Sequence, residues 1–429
     1  MTCSQPKRIP AEAAAALVQS GNLVITGHSS ASPRAFIKAM INRKDQLRNV
    51  WITHVRVEGP AEYLNADCGD SFFHNAFMLG PNSRQAMLDG RADYIPNRFG
   101  QMPEFLRQGR LRPDIVVIQL SPPDCYGYCS YGICTSYLPT AAKVAKITIG
   151  EINDQIPLTF GSRIHISDLD YIVDASYPLY ETPQPQIGET EYAIGKNVAG
   201  LIDDGATLQL GIGGIPNAVL ASLKGHKDIG IHSEMIGNGV VDLMADGVIN
   251  GRKKTVDPFK VVCTFAMGDN RLFNFLNNCP AVEFHEVSYT NSPKVISQNH
   301  KMVAINSAIE VDVTGQVCAE SIGTRLFTGT GGQLDFALGA SIADDGKFII
   351  AMPSTASRGR VSRIAPYLAR GAAVTTPRTL ADYVVTEYGI AELKGKNLRQ
   401  RAKALINICH PAFKEDVERQ ASQRDDIHF

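Results

Sequence analysis

The sequence predicts an α/β fold made of two similar open domains with mainly parallel sheets. Three observations lead there. Short apolar runs rich in Val and Ile alternate with helical patterns along all 429 residues. Those runs show little polar alternation, as strands buried on both faces require. The chain also opens twice in the same way. LVQSG-NLVITG at 17–27 echoes LIDDG-ATLQLG at 201–211, and SPRAFIKAM at 32–40 echoes IPNAVLASL at 215–223. Each opening reads as helix end, glycine stop, strand, glycine, then a helix with proline near its start.

In chain order, the expected strands are residues 23–26, 50–57, 115–120, 147–149, 171–173, 207–210, 230–232, 260–265, 303–308, 348–352 and 373–376. Helices are expected at 10–19, 191–202 and 398–409, among others. This alternation of strand and helix is the pattern of crossover-linked parallel sheets. The polar, proline-rich stretch ETPQPQIGETE at 181–191 is the expected linker. It divides the chain into domains 1–185 and 186–429, and the length suits two cores better than one.

Composition narrows the function. Hydrophobic residues make up 44% and charged residues 20%, an ordinary globular balance. Net charge is -1, and the longest basic run is Arg252-Lys253-Lys254. That argues against nucleic acid and anionic membrane as partners. The N-terminus, MTCSQPKRIPAEAAAALVQ, has no apolar signal core, and no stretch approaches about 18 uninterrupted apolar residues. The expectation is a cytoplasmic protein. The cysteines number nine, and Cys125, Cys129 and Cys134 lack the spacing of a zinc ribbon or finger. Buried or loop thiols, and no metal site, are expected.

The sharpest chemical signal is residues 208–243, LQLGIGGIPNAVLASLKGHKDIGIHSEMIGNGVVDL. It reads as strand, glycine turn, short helix and a second strand ending on a lone acid, Glu234. Parallel sheets keep their chemistry at such strand exits. A carboxylate there can serve as base, acid or nucleophile. Glu234 has no basic neighbour in sequence to pair with, although a solvated surface glutamate is the plain alternative. His232, Ser233 and Glu234 are consecutive, so they cannot form a Ser-His-acid triad.

The turn Gly211-Ile212-Gly213-Gly214-Ile215-Pro216 lets a ligand approach main-chain N–H groups. A dinucleotide fingerprint needs glycine at the sixth position; Pro216 stands there and has no N–H to offer a phosphate. A structural tight turn remains the plain reading. A second glycine loop, TGTGGQLDF at 328–336, is either another tight turn or an oxyanion site.

Taken together, RADYIP (91–96), SPPDCYGYCSYG (121–132), GEINDQIP (150–157), ATLQLGIGGIPNAVL, GIHSEM, MVAINSAIEVDVTGQVCAESIGTR (302–325), TGTGGQLDF, VTEYGIAEL and ALINICHPAF cover nearly the whole chain in order. In these motifs the chain resembles the acetyl-CoA hydrolase/transferase family, in particular its 4-hydroxybutyrate CoA-transferase branch. The resemblance implies the class I CoA-transferase type of fold and a homodimer or higher homo-oligomer. It implies that Glu234 is the nucleophile and carries coenzyme A as a glutamyl thioester. It also implies an oxyanion and CoA-binding region from Gln209, Gly211, Ile212, Gly213 and Gly214 together with Gly331, Gly332 and Gln333. The implied reaction moves CoA between short-chain (C4–C5) carboxylic acids, such as 4-hydroxybutyrate or butyrate with acetyl-CoA, or itaconate with succinyl-CoA. Coenzyme A, acyl-CoA and small carboxylic acids are then substrates, with no permanently bound cofactor. An acyl-CoA hydrolase on the same scaffold and a CoA-binding protein without turnover are the alternatives. The chain shows no GxxxxGK[ST] phosphate loop.

Two features are read against that resemblance. Lys253, Lys254, Arg358, Arg360 and Arg363 are candidates for the CoA phosphates, or else solvated surface charges. The loop THVRVEGPAEYL at 53–64 carries Arg56 and Glu58 where relatives usually have an apolar residue or threonine before Gly-Pro. By the echo between halves, Glu58 corresponds to the place of Glu234. It is a candidate for shaping an acyl pocket suited to a polar or dicarboxylic acid; a local Arg56–Glu58 pair is the alternative.

Overall fold

A computed structural model describes residues 6–427 of the chain. The first five residues, Cys3 among them, and the last two lie outside the description, as do the ends of the two expected domains. The chain forms two compact units. Unit 1 comprises residues 1–183 and 262–290, and unit 2 comprises 184–261 and 291–429. The 262–290 stretch therefore belongs with unit 1 although it follows part of unit 2 in sequence.

Unit 1 holds an eight-stranded sheet. From one edge its strands are Lys7–Arg8, Tyr171–Ala175, Ile147–Asn153, Ile115–Leu120, Leu23–Thr26, Val50–Thr53, Phe72–Ala76 and Ala92–Tyr94. Every neighbouring pair is parallel. The central strand Ile115–Leu120 is buried at all its positions, which explains its mostly apolar sequence; Gln119 is the exception and donates Nε2–H to Tyr177 Oη at 2.6 Å. Val24, Phe36, Met40, Ile52, Val117 and Val173 form one core with the helix Arg34–Ile41. The expected strand at 50–57 stops at Thr53, and Val57 makes only an isolated bridge to Ser29. Two further strands, Phe72–Ala76 and Ala92–Tyr94, carry polar residues such as His74, Asn75 and Asp93, so no apolar run announces them.

Unit 2 holds a six-stranded sheet in the order Gly230–Ile231, Thr207–Leu210, Met302–Asn306, Lys347–Ala351, Tyr383–Thr386 and Gly389–Glu392. All pairs are parallel except the last, which is an antiparallel hairpin. Phe336, Phe348, Ile350, Val384 and Leu405 lie in its core. The mainly parallel α/β class read from the sequence is present in both units. The expected strand at 373–376 is not formed. There, Thr375 and Thr376 both direct their N–H groups to Val317 O, and their hydroxyls serve side chains instead of a ladder. Helices stand at Ala11–Ala15, Glu189–Ala199 and Leu398–Asn407, within three residues of expectation at each end except for the short first one. Among the described residues no helix is long and apolar enough to cross a membrane.

Helices Glu189–Ala199 and Gly214–Ser222 approach each other at Gly195. A Cβ on that glycine would lie 2.6 Å from the main-chain carbon of Ala218. This contact fixes how closely the two helices pack. Gly195→Ala should destabilise the protein by about 2 kcal/mol, although alanine favours helix by roughly 1 kcal/mol. A midpoint of thermal unfolding equal to that of the parent would refute the constraint.

Unit 1 also buries three histidines. His54 and His74 stack with ring centroids 4.3 Å apart. His54 Nε2 meets Tyr63 Oη at 2.6 Å, and His28 Nε2 meets Ser136 Oγ at 2.7 Å. Burial pushes His28 down to about 3, helped by the nearby Arg56 charge. Burial also takes His74 to about 4 and His54 well below its usual value. Each is neutral when folded and gains a proton more readily when unfolded. Stability is therefore level above the unfolded value of 6.5 and falls as pH drops below it. Each histidine contributes a slope of about 1.4 kcal/mol per pH unit in that window. Hydrogen exchange at pH 7 and pH 5 should show unit 1 strands losing protection at the lower pH; equal protection at both would count against this account.

Candidate active site

Glu234 is positioned by the edge of the unit 2 sheet. Strand Gly230–Ile231 pairs with Thr207–Leu210 through Thr207↔Gly230 and Leu208↔Ile231. The chain then leaves the sheet, with His232 N–H on Leu208 O at 3.1 Å. Buried Ser233 bridges the two segments, its Oγ lying 3.0 Å from Leu210 O and 2.7 Å from Met235 O. Its hydroxyl is thus engaged with main-chain carbonyls. Glu234 follows as the first side chain at the strand exit, and part of it reaches solvent.

Two donors hold its carboxyl. Asn291 Nδ2–H donates to Oε2 at 2.8 Å, and the Gly332 main-chain N–H donates as well. The approach of Gly332 is so close that a Cβ there would stand 2.0 Å from Oε2 and 2.3 Å from Asn291 Nδ2. Desolvation is the dominant electrostatic effect and raises the Glu234 carboxyl to about 7. The donors from Asn291 and Gly332 oppose it, and the negative charge of Asp335 adds to it. A carboxyl poised near neutrality, held by N–H groups and open on one side, can act as a nucleophile or as an acid–base group.

The structure brings Gly332 to Glu234, and the glycine turn follows the neighbouring strand, whose last residue Leu210 accepts from Ser233 Oγ at 3.0 Å. Gly211, Ile212, Gly213 and Gly214 line a cavity of about 340 Å³ with Glu191, Ile215, Pro216, Ile305, Asn306, Ser307 and Ala351. Glu234 is not among its walls. A Cβ on Gly211 or Gly213 would meet nothing within 4 Å, so the turn exposes its main chain to the cavity. Gly213 has φ +119, a conformation that favours glycine. Gln209 is buried beneath, where its Oε1 accepts from Asn306 Nδ2 at 2.8 Å. Gln333 begins the helix Gln333–Ile342 and donates Nε2–H to Thr376 Oγ1 at 3.2 Å. Gly331, with φ +58, precedes the Gly332 donor.

The other residues singled out are distributed differently. Lys254 is buried, with Nζ donating to Lys260 O at 2.8 Å, which corrects its reading as a phosphate ligand. Arg363 is half-buried and donates to Ala308 O at 2.8 Å. Arg358 and Arg360 sit on the hairpin of Thr355–Ala356 and Val361–Ser362, and Lys253 lies beside Gly205. In unit 1, Arg56 and Glu58 form an ion pair at 2.5 Å. Glu58 also lines a cavity of about 350 Å³ with Arg34, Lys38, Glu62, Tyr177 and Tyr180. Cys129 and Cys134 are buried and Cys125 is exposed; all three are free thiols.

Sequence reading missed Asn291, which stands 57 positions from Glu234 within EVSYTNSPK and carries no motif. It also missed Glu191, whose carboxylate accepts the Gly188 N–H at 3.1 Å and whose stem packs near Gly214. A glutamate three residues after a helix start is a capping signal that was available there.

Comparison with known proteins identifies the family of the chain. The acetyl-CoA hydrolase/transferase N-terminal domain model matches residues 4–178, and the corresponding C-terminal domain model matches residues 268–421. The 4-hydroxybutyrate coenzyme A transferase of Clostridium kluyveri is 50% identical over 419 residues, spanning 97% of this chain and 98% of that protein. The succinyl-CoA:cyclohexane-1-carboxylate CoA transferase of Geobacter metallireducens is 41% identical over 96% of this chain and 94% of its own. Among solved structures, RipA from Yersinia pestis is 34% identical and superimposes with a TM-score of 0.92 over 97% of both chains. The 4-hydroxybutyrate CoA-transferase of Porphyromonas gingivalis is 38% identical, with a TM-score of 0.83 over 97% of this chain and 98% of that one. The chain therefore belongs to the acetyl-CoA hydrolase/transferase family.

Proposed function

We propose that this protein is an acyl-CoA:carboxylate CoA-transferase for short-chain, C4 to C5, acids, working through a thioester on Glu234. The observation that carries this reading is the Glu234 carboxyl itself, partly desolvated and gripped by Asn291 and the Gly332 N–H. Relatives named as transferases of 4-hydroxybutyrate and of butyrate support the substrate class.

The chemistry follows from these groups. A Glu234 carboxylate oxygen attacks the thioester carbonyl of an acyl-CoA, and the tetrahedral intermediate expels CoA thiolate. A mixed anhydride between the acyl group and Glu234 remains. The thiolate then attacks the glutamyl carbonyl and releases the first acid, leaving CoA on Glu234 as a thioester. An incoming acid reverses both steps and departs as a new acyl-CoA. One thioester replaces another, so no external energy source is consumed. Each oxyanion needs N–H donors, worth on the order of 3 kcal/mol apiece. The Gly332 N–H is one source, and the main chain of Ile212 in the glycine turn is assigned as a second. The cavity over that turn is assigned to part of the acyl-CoA, whose remote contacts favour the transition state. Transfer and hydrolysis differ only in what resolves the Glu234 thioester, an acid or water.

The direct test is to incubate the protein with acetyl-CoA or butyryl-CoA, digest it and weigh the peptide that contains Glu234. A CoA adduct that a second acid discharges is expected, and Glu234→Ala should lose both adduct and exchange. Full-rate exchange by that variant would end the proposal. Free thiol release with no acceptor acid present would instead identify a hydrolase.

The pH dependence follows with a definite sign. The nucleophile is the ionised form, and its pKa is raised to about 7. The rate at limiting acyl-CoA should therefore rise with pH up to about 7 and then level, falling about tenfold per unit on the acid side. The Asn291 N–H favours the charged form, so Asn291→Leu should move that limb upward by about one unit. A limb left in place by this substitution would show that Asn291 does not act on the reacting carboxylate.

A further inference from the structure

We propose that Glu320 is a positioning residue: it holds the glycine loop 329–332 so that the Gly332 N–H meets the carboxyl of Glu234. The inference rests on Glu234 being the nucleophile and adds the part of the molecule that orders its donor.

Glu320 is buried, at 8% exposure, between strands Val317–Cys318 and Ser321–Ile322. A carboxylate in such a place needs donors on its oxygens. Thr330 Oγ1–H donates to Oε2 at 3.0 Å, and Thr375 Oγ1–H donates to Oε1 at 3.1 Å. Thr375 Oγ1 itself accepts the Ala319 N–H at 2.9 Å, so its single proton is committed to Glu320. The main-chain oxygen of Glu320 accepts the N–H groups of Phe327 at 2.8 Å and Thr328 at 3.1 Å. One residue therefore grips the approach to the loop at 327 and 328 and the loop itself at 330.

Two residues beyond Thr330 comes the donor. Gly329, Gly331 and Gly332 give this segment wide torsional freedom, so untethered it would populate many conformations. Only Gly331 lies between the Thr330 tether and Gly332, whose N–H donates to Glu234 and whose carbonyl oxygen accepts the Phe336 N–H at 3.0 Å. Gly332 has to approach Glu234 more closely than any residue with a Cβ could. A shift of an ångström would break that hydrogen bond, and misplacement of this size is costly in catalysis. Glu320 touches no reacting atom in this arrangement. Its influence passes through the Thr330 hydroxyl.

The test is a double-substitution cycle read in acyl exchange between acetyl-CoA and butyrate. Glu320→Ala should lower kcat by about 10- to 100-fold, with KM for acetyl-CoA changed by less than about threefold. Thr330→Val, nearly the same size and suited to a folded variant if Glu320→Ala proves unstable, should lower kcat in the same direction. Either should also move the acid limb of the rate profile upward, because the Gly332 N–H favours the ionised Glu234 while Asp335 opposes it. The two substitutions together should cost no more than the larger alone. Glu320→Gln should recover part of the loss, since its amide oxygen can still accept from Thr375 while the Thr330 hydroxyl turns to accept.

Multiplicative effects in the double variant would overturn the proposal. So would an unmoved acid limb with kcat falling only in step with thermal stability. Glu234→Ala, run alongside, separates the two levels. If it still exchanges acyl groups, the nucleophile assignment fails. If it is inactive while the Glu320 and Thr330 effects multiply, only the positioning role fails.

Discussion

The structure around Glu234 depends on one close approach, that of the Gly332 main chain to the carboxyl. There is no room for a Cβ between them, so glycine is required there. The hydrogen bond they share answers a conflict: burial favours the neutral acid, and the proposed nucleophilic role needs the anion. Asn291 and Gly332 supply donors that restore part of the lost solvation without bringing a full positive charge beside the carboxyl. A lysine or arginine in their place would hold the carboxylate more tightly and make it a poorer nucleophile.

The sheet of unit 2 places this arrangement. Glu234 leaves an edge strand whose partner, Thr207–Leu210, also leads into the glycine turn. Both segments emerge from neighbouring strands at the same end of a parallel sheet, where ligand sites of α/β proteins gather. Unit 1 uses a related device. The helix Arg34–Ile41 follows the sheet strand Leu23–Thr26, and its first N–H groups donate to buried Glu151, from Phe36 at 2.8 Å and Ala35 at 3.3 Å. In unit 2, Glu191 packs against Gly214 at the start of the corresponding helix. A glutamate near each helix start suits the positive end of the helix dipole.

Much of this was legible in the chain. Largely apolar runs such as IVVIQL and MVAIN identified the central strands because burial on both faces leaves little polar alternation. Strands with polar positions, such as Phe72–Ala76, went unseen, and the TT pair at 375–376 looked like a strand because β-branched residues favour extended backbone. In the second case side-chain chemistry prevailed: the two hydroxyls bind Glu320 and Gln333 and the segment joins no ladder.

By itself the sequence determined the α/β class, the repeated strand-and-helix opening and the place of Glu234 at a strand exit, since each is written in local periodicity or in an ordered set of motifs. Tertiary structure alone decided what stands against that carboxyl. Asn291 lies far along the chain, Gly332 farther still, and the Thr330 and Thr375 partners of Glu320 are separated by 45 residues. It also decided that Lys254 is buried and that Arg56 pairs with Glu58. The physical reason is that hydrogen bonds and desolvation act over a few ångströms in space, and distance along a chain says little about distance in its fold.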